Sequence, residues 1–552
     1  MKKFTSSHIN IFFFLGIFVL TIPLFVRMLQ PGLWSMQDFH FFRLFEYTRC
    51  VADLQIPCRW SAYSGLWYGE PLFQYYGQFV YAVGAVIHLA GISLVDTLKI
   101  LFAASLVVSG YMMYALALKL SQDKMAALVA TVIYLYAPYR AVNVWVRGAL
   151  PEAAAFIFFP IIIYCIELII QKQSRRALGA LALAFAALIT THNLSAVMFL
   201  PFLLVWTSAR IYESKSIKAL ESILLSGAIS IMLSAFYLIP LLAESSYVSL
   251  AVTTQGYFDF RGHFASLSQV FLWHNWGYGG SVFGTEDGLN ISVGYIQWLI
   301  PVVGAALVYR KKILRLKFGA ACIAGLFTLF LTHNKSTPLW LALEPMKYIQ
   351  FPWRFLGVSI FALSVASTYV ISVFPVRLKR AIVVFIVLGA FITTVPFFKE
   401  DIWHVVSDAD MTSEQSLIDQ SRASIADYWP VFSSVIPTSP AQNAPPGFRL
   451  ISRRSNELLY EKSDQLAEKD IVFPVNYFPG WIGYVDNMKS PVRTNTDGKI
   501  ELTVPSNVRY VKLSFLNTPS RIFGNIISGC TLILLAAATV IPVKQSKRKK
   551  KK

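Results

Sequence analysis

Charge is scarce in this sequence, and so are the signatures of soluble enzymes. Only 14% of its 552 residues are charged, while 55% are hydrophobic and 15% aromatic. Soluble domains carry about 25% charged residues, so a large globular enzyme is excluded and a polytopic membrane protein is indicated. No GxxxxGK[ST] segment and no HExxH segment occurs, which removes support for ATP-driven transport and for zinc proteolysis. The glycines at Gly277–Gly280 sit in no strand-to-helix context, so they read as turn formers and not as a dinucleotide fingerprint. The five cysteines have no zinc spacing; Cys165, Cys322 and Cys530 fall in or beside apolar runs and read as small core residues. Cys50 and Cys58 share one loop and can pair if that loop faces an oxidising compartment. No internal repeat or extended low-complexity segment is evident.

What the chain has in abundance is apolar runs of about spanning length. They fall near 9–29, 72–91, 98–118, 125–139, 152–170, 177–192, 194–212, 219–242, 291–309, 316–332, 355–374, 381–398 and 521–543. The first, behind a basic start, lacks a small-residue cleavage site and reads as an uncleaved span. The fold expected is a polytopic α-helical membrane protein of about 12–14 spans. The net charge of +19 is gathered in short loops and in the tail Lys544–Lys552, a positive-inside pattern rather than a nucleic-acid surface.

Arg310–Lys317, Arg377–Arg380, Lys172–Arg176, Lys215/Lys218 and the lysine tail mark one side as cytoplasmic. The loops 140–151, 192–193, 243–290, 333–354 and 399–520 then face out. About thirteen spans cannot place both ends inside, and the conflict lies before residue 125: the 72–91 segment is re-entrant or a neighbouring assignment is wrong. Three regions follow: 1–398, a transmembrane domain with outward loops; 399–520, an outward β-rich domain; and 521–552, a final helix with a basic cytoplasmic tail. The alternating runs KIELTV (499–504) and VRYVKLSF (508–515), bounded by Pro and Gly, read as antiparallel strands of a small β-sandwich.

The distinctive polar residues fall in the loops assigned outward. WSMQDFHFFR (34–43) places Asp38, His40 and Arg43 within six residues beside the first span, with Glu46 just beyond. Arg140, Arg147 and Glu152 surround one span start, His192 joins two spans, and Glu244 opens the loop carrying Asp259, Arg261 and His263. Arg354 closes QFPWR. Singly, each has an ordinary reading: an interfacial loop meeting headgroups, snorkelling arginines, a histidine capping a helix. As a set on one face they point to a shared site. A carboxylate there can deprotonate an acceptor hydroxyl, and arginines can neutralise a phosphate leaving group. An adjoining apolar groove suits a lipid tail, and together these needs describe sugar transfer from a polyprenyl-phosphate carrier.

The runs YAPYRAVNVWVRGALPE, THN (191–193), WGYGGSVFGTEDG and QFPWR resemble bacterial membrane proteins labelled 6-pyruvoyl-tetrahydropterin synthase-related. The segment VNYFPGWIGYVDN…GKIELTVPS…VKLSFLNTPSRIFGNIIS resembles the C-terminal region of YfhO-like membrane proteins. Both groups resemble members of the GT-C glycosyltransferase superfamily, and nothing here resembles a soluble zinc-dependent pterin enzyme. The resemblance implies an inverting transfer from a lipid-phosphate sugar at the extracytoplasmic face of the cytoplasmic membrane. It implies Asp38 as general base and Glu152 as the second acid. It makes Arg147 and Arg354 candidate substrate or phosphate contacts, and the outward polar loops add His40, Arg43, His192, Asp259, Arg261 and His263 as expected contacts. The partners are a polyprenyl-phosphate-linked sugar donor, a glycan, lipid or protein acceptor and membrane lipids, with no nucleic acid. Residue 40 is His, so the first loop lacks an Asp-x-Asp pair; no cofactor is required and a divalent metal is disfavoured, the arginines taking its electrostatic role. The competing readings are a transporter or flippase for lipid-linked saccharides and a non-catalytic envelope-assembly scaffold.

Overall fold

The structure is a computed structural model. It describes residues 2–35, 38–272, 276–282, 287–423, 425, 427–463 and 469–540, and the side chains of 2–12, 38, 539 and 540 are outside the description. The apolar runs fold as helices, which satisfy every backbone group within the segment and at about 20 residues reach the thickness of a bilayer. Among the described residues, seven helices are long and apolar enough to cross a membrane. These are Leu94–Ser121, Leu150–Lys172, Asn193–Ser214, Lys312–Leu331, Pro352–Ser372, Val376–Phe397 and Pro519–Ala538. Two further pairs are sharply bent: Lys124–Leu135 with Pro138–Val146, by 51°, and Ile217–Leu233 with Ala235–Ala243, by 66°.

The thirteen runs are therefore not thirteen full-length helices. Tyr295–Tyr309 and Arg175–Thr191 are shorter than a full span, at 15 and 17 residues. The 72–91 run, where the parity conflict lay, is not continuous: Leu72–Tyr75 and Phe79–Leu89 are separate helices. Gly77 lies so close to the backbone of Thr191 that a Cβ would sit 2.2 Å from its carbonyl oxygen. The bend after Leu135 falls at Ala137-Pro138, where the residue before proline is pushed out of helical conformation (Ala137 ψ 134°).

The helix Pro352–Ser372 runs through the middle of the bundle, buried over 89% of its most apolar window, whereas Val376–Phe397 and Pro519–Ala538 are only 17% buried there and lie at the rim. The first loop is not a loose connection. It forms a helix, Asp38–Ala52, followed by a compact segment closed by the Cys50–Cys58 disulfide, whose Cα atoms are 5.4 Å apart.

Two antiparallel sheets make up the C-terminal β domain. One runs in the order Phe448–Arg453, Glu457–Lys462, Tyr510–Phe515, Trp481–Val485, Met488–Ser490, and the other Lys469–Asn476, Lys499–Val504, Arg493–Thr494. Alternate residues point inward, and Tyr460, Phe473, Ile500, Leu502, Val511 and Leu513 form a shared core with essentially no exposure. The sheets begin only at Phe448. Before them, Trp403–His404 pair with Leu33–Trp34 beside the first loop. Trp60, Ala62 and Tyr75 belong to the same hydrophobic core as the sheets, so the β domain and the first loop pack as one body. Asp53 accepts from Ser455 N (2.6 Å), Asn476 donates to Gly69 O (2.8 Å), and Ala441 N donates to Leu66 O (2.9 Å).

Candidate functional site

Glu152 lies in the first turn of Leu150–Lys172, where the helix N-terminus favours a carboxylate. The preceding chain is irregular: a π-helical turn at Val142–Val146, then Gly148 at φ +56°, a left-handed value that glycine adopts at little cost. This geometry folds Tyr139, Asn143 and Arg147 back onto the carboxylate. Tyr139 Oη donates to Glu152 Oε1 (2.5 Å), Asn143 Nδ2 donates to the same oxygen (3.2 Å), and Arg147 Nη1 donates to Oε2 (3.0 Å). Arg354 brings its Nε to 3.6 Å from Oε2, from a segment two hundred residues away in sequence. The guanidinium of Arg147 lies over the Trp353 ring (4.6 Å) and that of Arg354 over Phe351 (4.8 Å), which fixes both planes.

His192 is electrostatically coupled to Glu152, Arg147 and Arg354, and caps the helix Asn193–Ser214. Its Nδ1 accepts from Ser195 N (3.2 Å), so in the neutral ring Nε2 carries the hydrogen. Burial pushes its pKa down to about 4 against the pull of Glu152, and the two arginines push the same way as burial, so the ring is neutral at physiological pH. The group thus presents two guanidiniums, one carboxylate and one neutral N–H donor.

The first-loop helix meets this group from the side. His40 is buried, 2.7 Å from Tyr81 Oη through Nδ1, and its Nε2 faces Leu150 N (3.4 Å) at the start of the Glu152 helix. Burial, then Arg43, holds it well below the usual histidine pKa. Arg43 pairs with Asp427 (3.1 Å) and stacks on Tyr76 (4.1 Å) and Phe39 (4.9 Å). Beneath lie two buried carboxyls. Burial raises Glu46 to about 7, outweighing Arg49, and burial with Asp427 holds Glu70 well above the usual range. Asp38 begins the helix, but its side chain is outside the described residues.

The structure thus brings Glu152, Arg147, Arg354 and His192 together, with His40 and Arg43 alongside. It does not bring in Asp259 and Arg261. Two residues apart on a short turn, these close a pair with each other, Arg261 Nε to Asp259 Oδ1 at 3.0 Å, at the surface. His263 is buried one layer behind: its Nδ1 lies 3.2 Å from Ser281 Oγ, which accepts from Trp353 Nε1 (2.9 Å), and its ring packs on Phe351. It supports the aromatic platforms of the two arginines. Glu244, expected near the site, is taken up by Arg521 (2.7 Å) and anchors the last helix. In the run WHNWGYGGSVFGTEDG, residues 273–275 and 283–286 are outside the described residues. Among the described residues, no three His, Cys, Asp or Glu side chains gather as a metal-holding group.

Tyr139, Asn143 and Trp353 stand inside the motifs YAPYRAVNVWVRGALPE and QFPWR but, being uncharged, carry no signal in the sequence that sets them apart. Tyr76, Glu70 and Asp427 were not among the candidates read from the sequence. Asp427 had no local signal, since it lies hundreds of residues from Arg43 and in the polar stretch before the sheets.

Among solved structures, one similar chain is the arabinofuranosyltransferase AftD from Mycobacteria, at TM-score 0.44 and 14% identity. The alignment covers 69% of this chain but only 26% of that one, so the chain spans about a quarter of its length. No curated protein matches the sequence. Residues 73–399 match the family described as "6-pyruvoyl-tetrahydropterin synthase related domain; membrane protein". That match takes in more than half of the sequence, and the chain therefore belongs to this family of membrane proteins.

Proposed function

We propose that the chain is a membrane glycosyltransferase that moves a sugar from a polyprenyl-phosphate donor to an acceptor outside the cytoplasmic membrane. The observation that carries this reading is the convergence of Arg147, Arg354 and His192 on Glu152 at the N-terminal ends of packed helices. Two arginines against one carboxylate leave a net charge of about +1, which matches the single negative charge of a sugar phosphodiester. As the glycosidic bond breaks, its electron pair stays on the phosphate oxygen, whose charge rises by one. Fixed guanidiniums and the neutral His192 N–H stabilise that developing charge without a rearrangement.

Asp38 is the base on this reading. The acceptor hydroxyl attacks the anomeric carbon as the bond to phosphate breaks, its proton passes to Asp38, and the configuration inverts. Glu152, with its oxygens occupied by Tyr139, Asn143 and Arg147, serves as counter-ion that aligns the arginines.

The test is transfer from radiolabelled lipid-linked sugars by purified protein in membranes. Asp38→Asn should abolish transfer while preserving expression, unfolding temperature and donor binding. Retained transfer by that variant would remove Asp38 as base. Lipid-linked sugar that crosses a proteoliposome bilayer with no transfer product would favour the transporter reading instead.

A further inference from the structure

Two charged groups meet across a single residue. On one side lie Arg43, Asp427 and the buried Glu70; on the other, Arg354, Arg147, His192 and Glu152. Tyr76 stands at the break between the helices Leu72–Tyr75 and Phe79–Leu89, just before Gly77 wedges against Thr191 next to His192. It is the one partly exposed side chain in the otherwise buried run 71–78. Its ring lies 4.1 Å beneath the Arg43 guanidinium. Its phenol is an electrostatic neighbour of Arg354 as well as of Arg43, Tyr81, Tyr237 and Tyr428. Tyr81, beside it at 6.0 Å between ring centroids, is held in turn by His40.

We infer that Tyr76 is a substrate-contacting residue whose hydroxyl donates a hydrogen bond to the phosphate–sugar linkage of a polyprenyl-phosphate donor lying between Arg43 and Arg354. This inference rests on the function proposed above. A phenol suits that position for three reasons. It is short and stiff, with its ring clamped under Arg43. It reaches a partly exposed face, whereas its neighbours are buried. It adds a donor without adding charge, so the net charge of the arginine group stays matched to a phosphodiester. The helix break is what frees it, because residue 76 in a continuous helix would take its direction from the turn before it.

Full-length protein in lipid nanodiscs would be titrated with undecaprenyl phosphate and, separately, with undecaprenol. Tyr76→Phe should bind the phosphate about tenfold more weakly than wild type, as expected for loss of a hydrogen bond to a charged group. It should bind the uncharged alcohol equally well and keep the wild-type unfolding temperature. Tyr111→Phe, on a helix face away from the site, should match wild type for both ligands. Equal phosphate binding by Tyr76→Phe would overturn the inference and leave the proposed function standing. Equal weakening toward both ligands would mark a packing effect and overturn it as well. If wild type binds phosphate no more tightly than alcohol, the donor reading itself falls, and the inference with it.

Discussion

Replacing Glu152 by Gln tests the charge argument, because binding and stability should move in opposite directions. Glu152 Oε2 is 3.0 Å from Arg147 and 3.6 Å from Arg354. A phosphate held by both guanidiniums would lie roughly 5 Å from the carboxylate, a repulsion of about 3 kcal/mol at an effective dielectric constant near 20. Glutamine keeps the shape, and its carbonyl can still accept from Tyr139 and Asn143, which both donate to Oε1. Its amide then faces the Arg147 N–H donors, so that hydrogen bond is lost and both arginines hold less firmly. After that offset a net gain of about 1.4 kcal/mol remains, or roughly tenfold tighter binding of undecaprenyl phosphate. Stability should fall by about 3 kcal/mol, the cost of leaving buried cations uncompensated. Arg354→Gln should weaken binding, giving the pair opposite signs. Equilibrium binding in nanodiscs and chemical unfolding in detergent measure the two quantities. If Glu152→Gln binds the phosphate as wild type does, or less tightly, the counter-ion role is refuted.

The first loop should respond to pH. Glu46 is raised to about 7 by burial, against roughly 4.3 unfolded, so the folded state binds its proton more tightly and stability falls as pH rises through that window. Unfolding midpoints at pH 5 and pH 8 should show it, and Glu46→Gln should recover up to about 3 kcal/mol at pH 8 and flatten the slope; a flat wild-type profile would contradict this. Gly77→Ala should cost about 3 kcal/mol or more, since its Cβ would meet the Thr191 carbonyl at 2.2 Å, and a variant that expresses and melts like wild type would show that the break tolerates a side chain. Arg521→Met should destabilise by about 3 kcal/mol, because Glu244 loses its 2.7 Å partner in a buried setting. An unchanged unfolding midpoint would mean that the pair does not hold the last helix.

The helical bundle and the strands at 499–504 and 510–515 were legible from the sequence, since hydrophobic run length and period-two alternation are local properties of the chain. Glu152 and the Arg147, Arg354 and His192 that gather on it were likewise named from sequence, because ionisable groups at span ends are costly and therefore conspicuous. What sequence could not supply was the sorting within that set. Asp259 and Arg261 carry the same chemistry as Glu152 and Arg147, but they pair with each other at the surface, whereas Glu152 and Arg147 pair in a buried setting. Glu244 went to Arg521 through the docking of a helix nearly three hundred residues away. The close approach of Gly77 to the Thr191 backbone could not be read from the apolar run, since it joins residues more than a hundred positions apart.

Composition and pattern by themselves therefore determined a membrane-embedded helical chain with a β-rich C-terminal part and polar groups gathered at span ends. Tertiary structure alone decided which of those groups touch. It also seated the β domain on the first loop, where Trp60 and Tyr75 enter the core of the sheets and Asp427 reaches Arg43. Hydrophobic periodicity is written residue by residue, whereas an ion pair between residues 43 and 427 exists only after every helix between them has packed.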